Sequence, residues 1–324
     1  MLAPVAGCSA PAGNPASIAA TDGPAAQQLK SSVTDAGVVV HLQALQRIAD
    51  ENGGNRASPG PGYDANVDYV AGVLRASGYE VDTPAYEGSR QRGTMRTVLA
   101  QTRTGSPGHV VVVGAHLDSV TDGPGIVDNG SGVAALLEIA RCLGPSAALR
   151  NTVRFAFFGS EEDGSQGAKA YVTGLSAEEL GTIMLYLNVD MIASPNGGYF
   201  AQGGVGADLS ASGPAGSATV AGVLAGQLRQ TGVQPENIEF VGDDESAFVE
   251  AGIPSGGAEN GDHKRKSAAQ AQAWGGAADE RFDPCYHRSC DRLDNVNRVV
   301  LSHYLAAIAG TVAHFAMSEA SNLR

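Results

Sequence analysis

The stretch "HVVVVGAHLDSVTDGPGIVDNGSGVAALLEIAR", His109 to Arg141, decides the fold. It opens on a continuous apolar run, HVVVVGAH, of the kind that is buried on both faces of a parallel sheet. It closes on an apolar-periodic segment, GVAALLEIAR, that reads as a helix. Between the two lies a glycine-rich loop that gathers His116, Asp118, Asp122 and Asp128. A strand that hands over to a helix in this way belongs to an α/β sheet, and such sheets bind ligands beyond the carboxyl ends of their strands.

The same alternation continues on either side. Helices are expected near Gly37–Asn52 and over "YDANVDYVAGVLRASG", the latter closed by Gly78, with a strand near Arg96–Gln101. Downstream, "TVRFAFFG" and "IMLYLNVDM" read as strands and "SQGAKAYVTG" begins a helix. "SATVAGVLAGQLRQTG" reads as a helix, "NIEFV" as a short strand and "ESAFVEAG" as a short helix; the last long helix runs from about Val296 to Met317. The expected fold class is α/β, a mixed and mainly parallel central sheet with helices on both faces. His116 ends one strand, Glu161 and Glu162 follow another, and Asp190 ends a third, so these ligand-type residues share one edge of the sheet.

Composition narrows the function. The 324 residues are 43% hydrophobic, enough for a large core, and the 43 Gly and 15 Pro imply many tight loops. The formal net charge of −13 repels phosphate backbones, which argues against a nucleic-acid partner. No apolar run reaches the ~18 residues of a membrane span. Residues 1–35 read as a flexible N-terminal tether rich in Ala, Pro, Gly and Ser, and 36–324 as a single domain. "VAGC", Val5 to Cys8, resembles the tail of a bacterial lipobox, whose cysteine is lipidated after export; an arbitrary disordered tail is the alternative. Cys285 and Cys290 lie five apart, a spacing that closes a short loop in an exported protein and suits a metal in a cytosolic one. Cys142, on an apolar-periodic helix, is expected to be a buried thiol.

Five side chains stand out: His116, Asp128, Glu162, Asp190 and His287. Two imidazoles and three carboxylates, with no thiolate, suit zinc. If one carboxylate bridges, each of two metals takes one histidine and one further carboxylate, the arithmetic of a co-catalytic pair. A single acidic residue in a loop is usually a solvated carboxylate or a helix cap. Joint placement at consecutive strand ends makes that reading poor for the set.

The segments "GAHLDSV", "GIVDNGSGVAALLE", "GSEEDGSQGAKAYV", "LNVDMIASPNGGYF", "KSAAQAQAWGG" and "FDPCYHRSCDRLDN" resemble the zinc aminopeptidases of peptidase family M28. The likeness runs from about residue 37 to 315 and is closest to the Streptomyces-type secreted leucine aminopeptidases. The protease-associated insert of many relatives is absent, since only "YEGSRQRGTMRTVLAQTRTG" fills its interval. The resemblance implies two Zn2+ per chain, with His116 and Asp190 on one, Glu162 and His287 on the other, and Asp128 as the bridge. It implies Glu161 as the general base toward a metal-activated water and Tyr286 as the oxyanion stabiliser. Asp118 would orient His116. It also implies a cis peptide after Asp128. The substrate is then a peptide with a free N-terminus, its ammonium met by Glu161, Asp190 and the carbonyl of Gly242. An exported bacterial protein, extracellular or held at the cell surface by a lipid on Cys8, is expected to be a monomer with Cys285 and Cys290 disulfide-bonded.

The sequence departs from the family at two places. "VGDDESAF" puts Gly242 where relatives have an arginine and Glu245 where they have a histidine, with Asp244 retained. Calcium-binding relatives use two aspartates in the last helix; Ser302 and Ala306 stand there, so no calcium is expected at that site. Met191 keeps one wall of the side-chain pocket, whereas Glu259 replaces an aromatic one. A carboxylate there predicts acceptance of basic as well as large apolar N-terminal residues, unless it turns to solvent or pairs with Lys264 or Arg265. Two other functions fit the same fold: a glutaminyl cyclase-like transferase with a single zinc, and a non-catalytic binding module.

Overall fold

The structure, a computed structural model, describes residues 24–88, 93–203 and 213–319. Helices α1 (Pro24–Ser32), α2 (Asp35–Glu51) and α3 (Pro61–Ala76) precede the short strands β1 (Val81–Asp82), β2 (Ala85–Glu87), β3 (Thr94–Arg96) and β4 (Val98–Gln101). Then come β5 (Ser106–His116), α4 (Gly130–Leu143), β6 (Asn151–Phe158), α5 (Gln166–Gly174), α6 (Ala177–Thr182) and β7 (Ile183–Val189). They are followed by β8 (Phe200–Gln202), α7 (Ser217–Gln230), β9 (Glu236–Ile238), α8 (Glu245–Glu250) and β10 (Ser255–Glu259). Helices α9 (Ala268–Trp274) and α10 (Arg298–Met317) complete the order.

One sheet of eight strands runs β1-β4-β6-β5-β7-β10-β8-β9. Its centre, β6-β5-β7-β10, is parallel, while β1, β4 and β8 pair antiparallel at the flanks. Strands β2 and β3 form a separate hairpin. The apolar run in β5 is split by the two-residue period of a strand. Val111, Val113 and Ala115 join the large core beneath α2, α3, α4, α7 and α10. Val110 and Val112 join a smaller one with Val172 of α5 and Phe248 of α8. Burial on both faces is what made the run continuous rather than alternating.

Helix α4 starts where Asn129 accepts a hydrogen bond from the Gly132 amide, and it ends at Gly144 with φ 71°. Both are ordinary end signals. Helix α10 is long and apolar enough to cross a membrane by length and composition, yet 72% of its apolar window is buried within the fold. It is a core helix.

Two expectations need correction, and one strand carries no signal in the sequence. The expected tether reaches residue 35, but α1 lies within that span and buries Ala26 and Leu29, so the folded part extends back to Pro24. Two apolar positions three apart in "PAAQQLKSS" suffice to dock it. Cys142 is half-buried rather than buried: it sits at the α4 end, where its Sγ donates to the Ser32 carbonyl. Strand β10, "SGGAE", escaped the sequence because it carries no apolar pattern. A side chain at Gly256 would meet Val220, and one at Gly257 would meet Gln202. The lipobox-like Val5–Cys8 lies outside the described residues.

Candidate metal centre

Strands β6, β5, β7 and β10 are neighbours, so their carboxyl ends lie side by side. His116 is the last residue of β5, Asp190 follows β7, Glu259 ends β10, and Glu161 and Glu162 sit in the turn after β6. Asp128 arrives on the loop that starts α4, and its peptide bond to Asn129 is cis. His287 comes from the loop closed by the Cys285–Cys290 disulfide.

Asp128 stands between two groups. Its Oδ1 lies 3.2 Å from His116 Nε2, which is 3.4 Å from Asp190 Oδ1. Its Oδ2 lies 3.2 Å from His287 Nε2, which is 3.0 Å from Glu162 Oε2. Each trio, His116–Asp128–Asp190 and Asp128–Glu162–His287, offers one ligand atom per residue, all within 4.8 Å of one another. The five expected ligands are thus brought together as two sets that share one carboxylate. Asp122, the remaining acid of the loop, is exposed and takes no part.

The supports are specific. His116 Nδ1 lies 3.1 Å from the Asp118 carbonyl and 3.6 Å from its carboxylate, so Asp118 fixes the ring and leaves Nε2 for the site. The Asp118 carboxylate also accepts from the Glu161 and Glu162 amides at 3.1 and 3.3 Å, which ties the β5 end to the β6 turn. Residues beside or at the ligands hold left-handed backbones: Ser160 (φ 56°), Met191 (φ 46°) and His287 (φ 56°). Each costs about 1–3 kcal/mol and marks a turn shaped for its site.

Burial disfavours charge on these acids, and for most of them the nearby imidazoles offset it only in part. It pushes the Glu162 carboxyl to about 7 with help from Asp128, and raises Asp190 and, strongly, Glu161. Burial also works against Asp128, but the two imidazoles pull its carboxyl below the ordinary range. His287 is held up at about 10: burial opposes its charge, but Asp128 and Glu162 outweigh it. The cluster thus holds more carboxylates than its two imidazoles balance. Asp190 Oδ1 and Glu162 Oε1 are buried without a hydrogen-bond partner. Two orphaned buried oxygens, a shared carboxylate and hard-to-borderline donors fit divalent cations such as zinc.

A cavity of about 290 Å³ opens over the cluster, lined by Glu161, Met191, Asp243, Glu259 and Tyr286 besides the five. The Tyr286 ring stacks on His287 at 3.8 Å and on His263 at 5.6 Å. Glu259 is buried, and neither expected escape occurs. Gln202 Nε2 donates to its Oε2 at 2.7 Å, while Lys264 pairs with Asp262 at 3.4 Å. Burial, with Asp262, pushes the Glu259 carboxyl to about 7. Gly242 is exposed; its neighbours Val241 and Asp243 line the cavity in its place.

Sequence reasoning missed three residues. Arg56 is fully buried, and its guanidinium donates to the carbonyls of Leu117, Pro124 (3.0 Å) and Gly125, clamping the loop under Asp128. Burial brings its pKa to about 10 against the pull of Asp291, Asp118, Asp128 and Glu162. Asp291 accepts from the Val127 and Asp128 amides at 2.8 and 3.0 Å, which aims Asp128. Asp243 is the third.

Comparison with known proteins gives a consistent result. The model of peptidase family M28 matches residues 97–312. The chain is 43% identical over 300 residues to leupeptin-inactivating enzyme 1 of Streptomyces exfoliatus, covering 91% of this chain and 65% of that one. It is 45% identical over 267 residues to the probable lipoprotein aminopeptidase LpqL of Mycobacterium tuberculosis, covering 78% and 53%. The chain thus spans between half and two thirds of the length of these curated relatives. Its fold is that of the aminopeptidase from Aneurinibacillus sp. strain AM-1, with TM-score 0.69 and 16% identity over 90% of this chain and 96% of that one.

Proposed function

Because this chain belongs to peptidase family M28, we propose that it is a zinc aminopeptidase that removes the N-terminal residue from peptides. The observation that carries the reading is Asp128, whose two oxygens each face a different histidine at 3.2 Å. A carboxylate so placed would serve two cations at once.

His116 and Asp190 would hold one zinc, Glu162 and His287 the other, with Asp128 shared. When bound, zinc supplies Lewis acidity toward the scissile carbonyl and toward water. The chain's own residues do the rest. Glu161, with Oε1 steadied by Ser165 Oγ at 3.3 Å, takes the proton of the attacking water and returns it to the leaving amine. The Tyr286 hydroxyl donates to the oxygen that gains charge, its ring held between two imidazoles. Glu161 and Asp190 receive the substrate ammonium. Met191 and Glu259 form the side-chain pocket, which takes large apolar and basic residues. The disulfide suits an oxidising compartment and the relative's lipoprotein name supports export, with a lipid on Cys8 as the anchor.

The test is zinc stoichiometry together with hydrolysis of leucine p-nitroanilide. Two zincs and chelator-sensitive hydrolysis are expected. Glu161→Ala should keep both metals and lose about 10²–10⁴-fold in kcat. A single zinc with cyclisation of N-terminal glutamine would replace this reading by a transferase. Loss of zinc in the variant would make Glu161 a ligand instead of the base.

A further inference from the structure

We infer that a second cavity, beyond Glu259, receives the far end of a long N-terminal side chain, and that it selects arginine over lysine. The inference rests on the aminopeptidase reading and deepens it. None of the five metal ligands lines this cavity.

The second cavity measures about 470 Å³, larger than the one over the cluster. The two adjoin along Val241, Glu259, Asp262 and Lys264, which line both. Glu259 is fixed at this junction, because Gln202 Nε2 donates to its Oε2 at 2.7 Å. A leucine side chain is too short to use both spaces. An extended side chain with a polar end can pass the carboxylate and continue.

Beyond the junction the walls turn aromatic, with Phe200, Phe240 and Phe282 beside Ile238. Phe200 and Phe282 are buried and meet edge to face at 5.5 Å. Lys266 Nζ already lies 5.7 Å from the centre of the Phe282 ring, and it donates to the carbonyls of Gly197 and Gly275. Phe240 is half-buried and backed by main chain: a Cβ at Gly203 or Gly213 would lie 2.8 or 2.5 Å from its ring. It is therefore the aromatic face for an incoming cation. A planar guanidinium stacks on such a face, and it sheds water more readily than a compact ammonium does.

Charge on the walls favours a cation. The acids are Glu236, Glu239, Glu259 and Asp262; the bases are Lys264 and Arg265. Both bases are engaged. Lys264 Nζ lies 3.4 Å from Asp262, and Arg265 donates to the Asp279 carbonyl and lies 3.9 Å from its carboxylate. Arginine combines the length, the positive charge and the flat end that this cavity suits. Lysine gains the Glu259 contact at the junction but little from the aromatic wall beyond it.

The experiment measures kcat/KM for the p-nitroanilides of arginine, lysine and leucine at one mildly alkaline pH on the zinc-loaded protein. Wild type should favour arginine over lysine about tenfold. Ile238→Trp fills the second cavity. It should remove that advantage and leave lysine and leucine within about twofold. Phe240→Leu removes the aromatic face alone, and its smaller loss should again be confined to arginine. If Ile238→Trp misfolds by circular dichroism, Phe240→Leu decides. Wild type that prefers lysine or treats the two alike overturns the inference. So does a folded Ile238→Trp that keeps the advantage, or a loss shared equally by all three substrates. Arginine and leucine hydroxamates are compared separately by calorimetry. If hydrolysis is absent but arginine hydroxamate binds more tightly in wild type and not in Ile238→Trp, the activity reading fails and the second cavity stands.

Discussion

The two halves of the metal cluster use the same donor types on different supports. His116 ends a central strand, its side chain is 2% exposed, and its ring is pinned through Asp118. Its partner Asp190 follows the next strand. His287 sits on the loop closed by the Cys285–Cys290 disulfide, 38% exposed, and its partner Glu162 lies in a turn. The loop has its own anchors: Asp283 accepts from the Cys285 amide at 2.7 Å and from Asn295 Nδ2 at 3.0 Å. One half is therefore part of the sheet, and the other is hung beside it. The lesson is that two ligand sets sharing one carboxylate can rest on unlike supports, a strand end for one and a disulfide-closed loop for the other, so losing a support should act on one set before the other.

The largest expected effect breaks the pair. Ligand loss in either half should cut kcat/KM by more than about 100-fold, but zinc content should differ. His287→Ala should keep one zinc on His116, Asp128 and Asp190. His116→Ala should keep less than one, because it opens the buried half that carries the bridge. Equal zinc loss in both variants, measured by atomic absorption, would erase the distinction between the halves.

Reduction of Cys285–Cys290 tests the hung half more gently. The second zinc should weaken about 10–100-fold, the range for losing a ligand's support, before circular dichroism reports any loss of fold. The first zinc should stay. Unchanged binding under verified reduction would show that Asp283 and Asn295 hold the loop without the disulfide, and simultaneous release of both zincs would erase the difference between the halves.

How much of this could be read from the sequence depends on where each residue's partners lie. His116 and Asp190 were legible because apolar strands end at them, and the sheet rule then gave them a common edge. Asp128, Glu162 and His287 were legible through donor type and family resemblance together. The clamp on the loop was not. Arg56 sits in the Gly- and Pro-rich break "GGNRASPG", and its acceptors are backbone carbonyls 61 to 69 residues away, which no side-chain pattern records. Asp291 works through backbone amides in the same hidden way. Strand β10 lacked a signature because close packing on both sides selects glycine, not an apolar period. Its end residue Glu259 stands out in the sequence as a departure from the family pattern, whereas its Gln202 partner, on a three-residue strand, leaves no such mark.

Glu259 provides the smallest and sharpest prediction, since it assigns substrate choice to the sheet-borne half. It ends β10, whose Ala258 pairs with Val189, so it stands next to the Asp190 and Met191 side of the cavity. The groups that face it are Gln202, Asp262, Lys264 and Asp190. With its carboxyl at about 7, Glu259 is mostly neutral below that pH and mostly charged above it. A neutral carboxyl offers little to a lysine ammonium, while the ionised form offers a charge-assisted contact of about 1–3 kcal/mol in a partly dry pocket. The ratio of kcat/KM for lysine over leucine p-nitroanilide should therefore rise as pH climbs through about 7, and then level off. Glu259→Gln should flatten that profile at the low-pH value and leave leucine turnover and both zincs in place. His287→Ala, in the hung half, should depress both substrates without changing their ratio. A ratio that ignores pH in wild type, or one that moves with His287 rather than with Glu259, would take side-chain selection away from the strand-borne half.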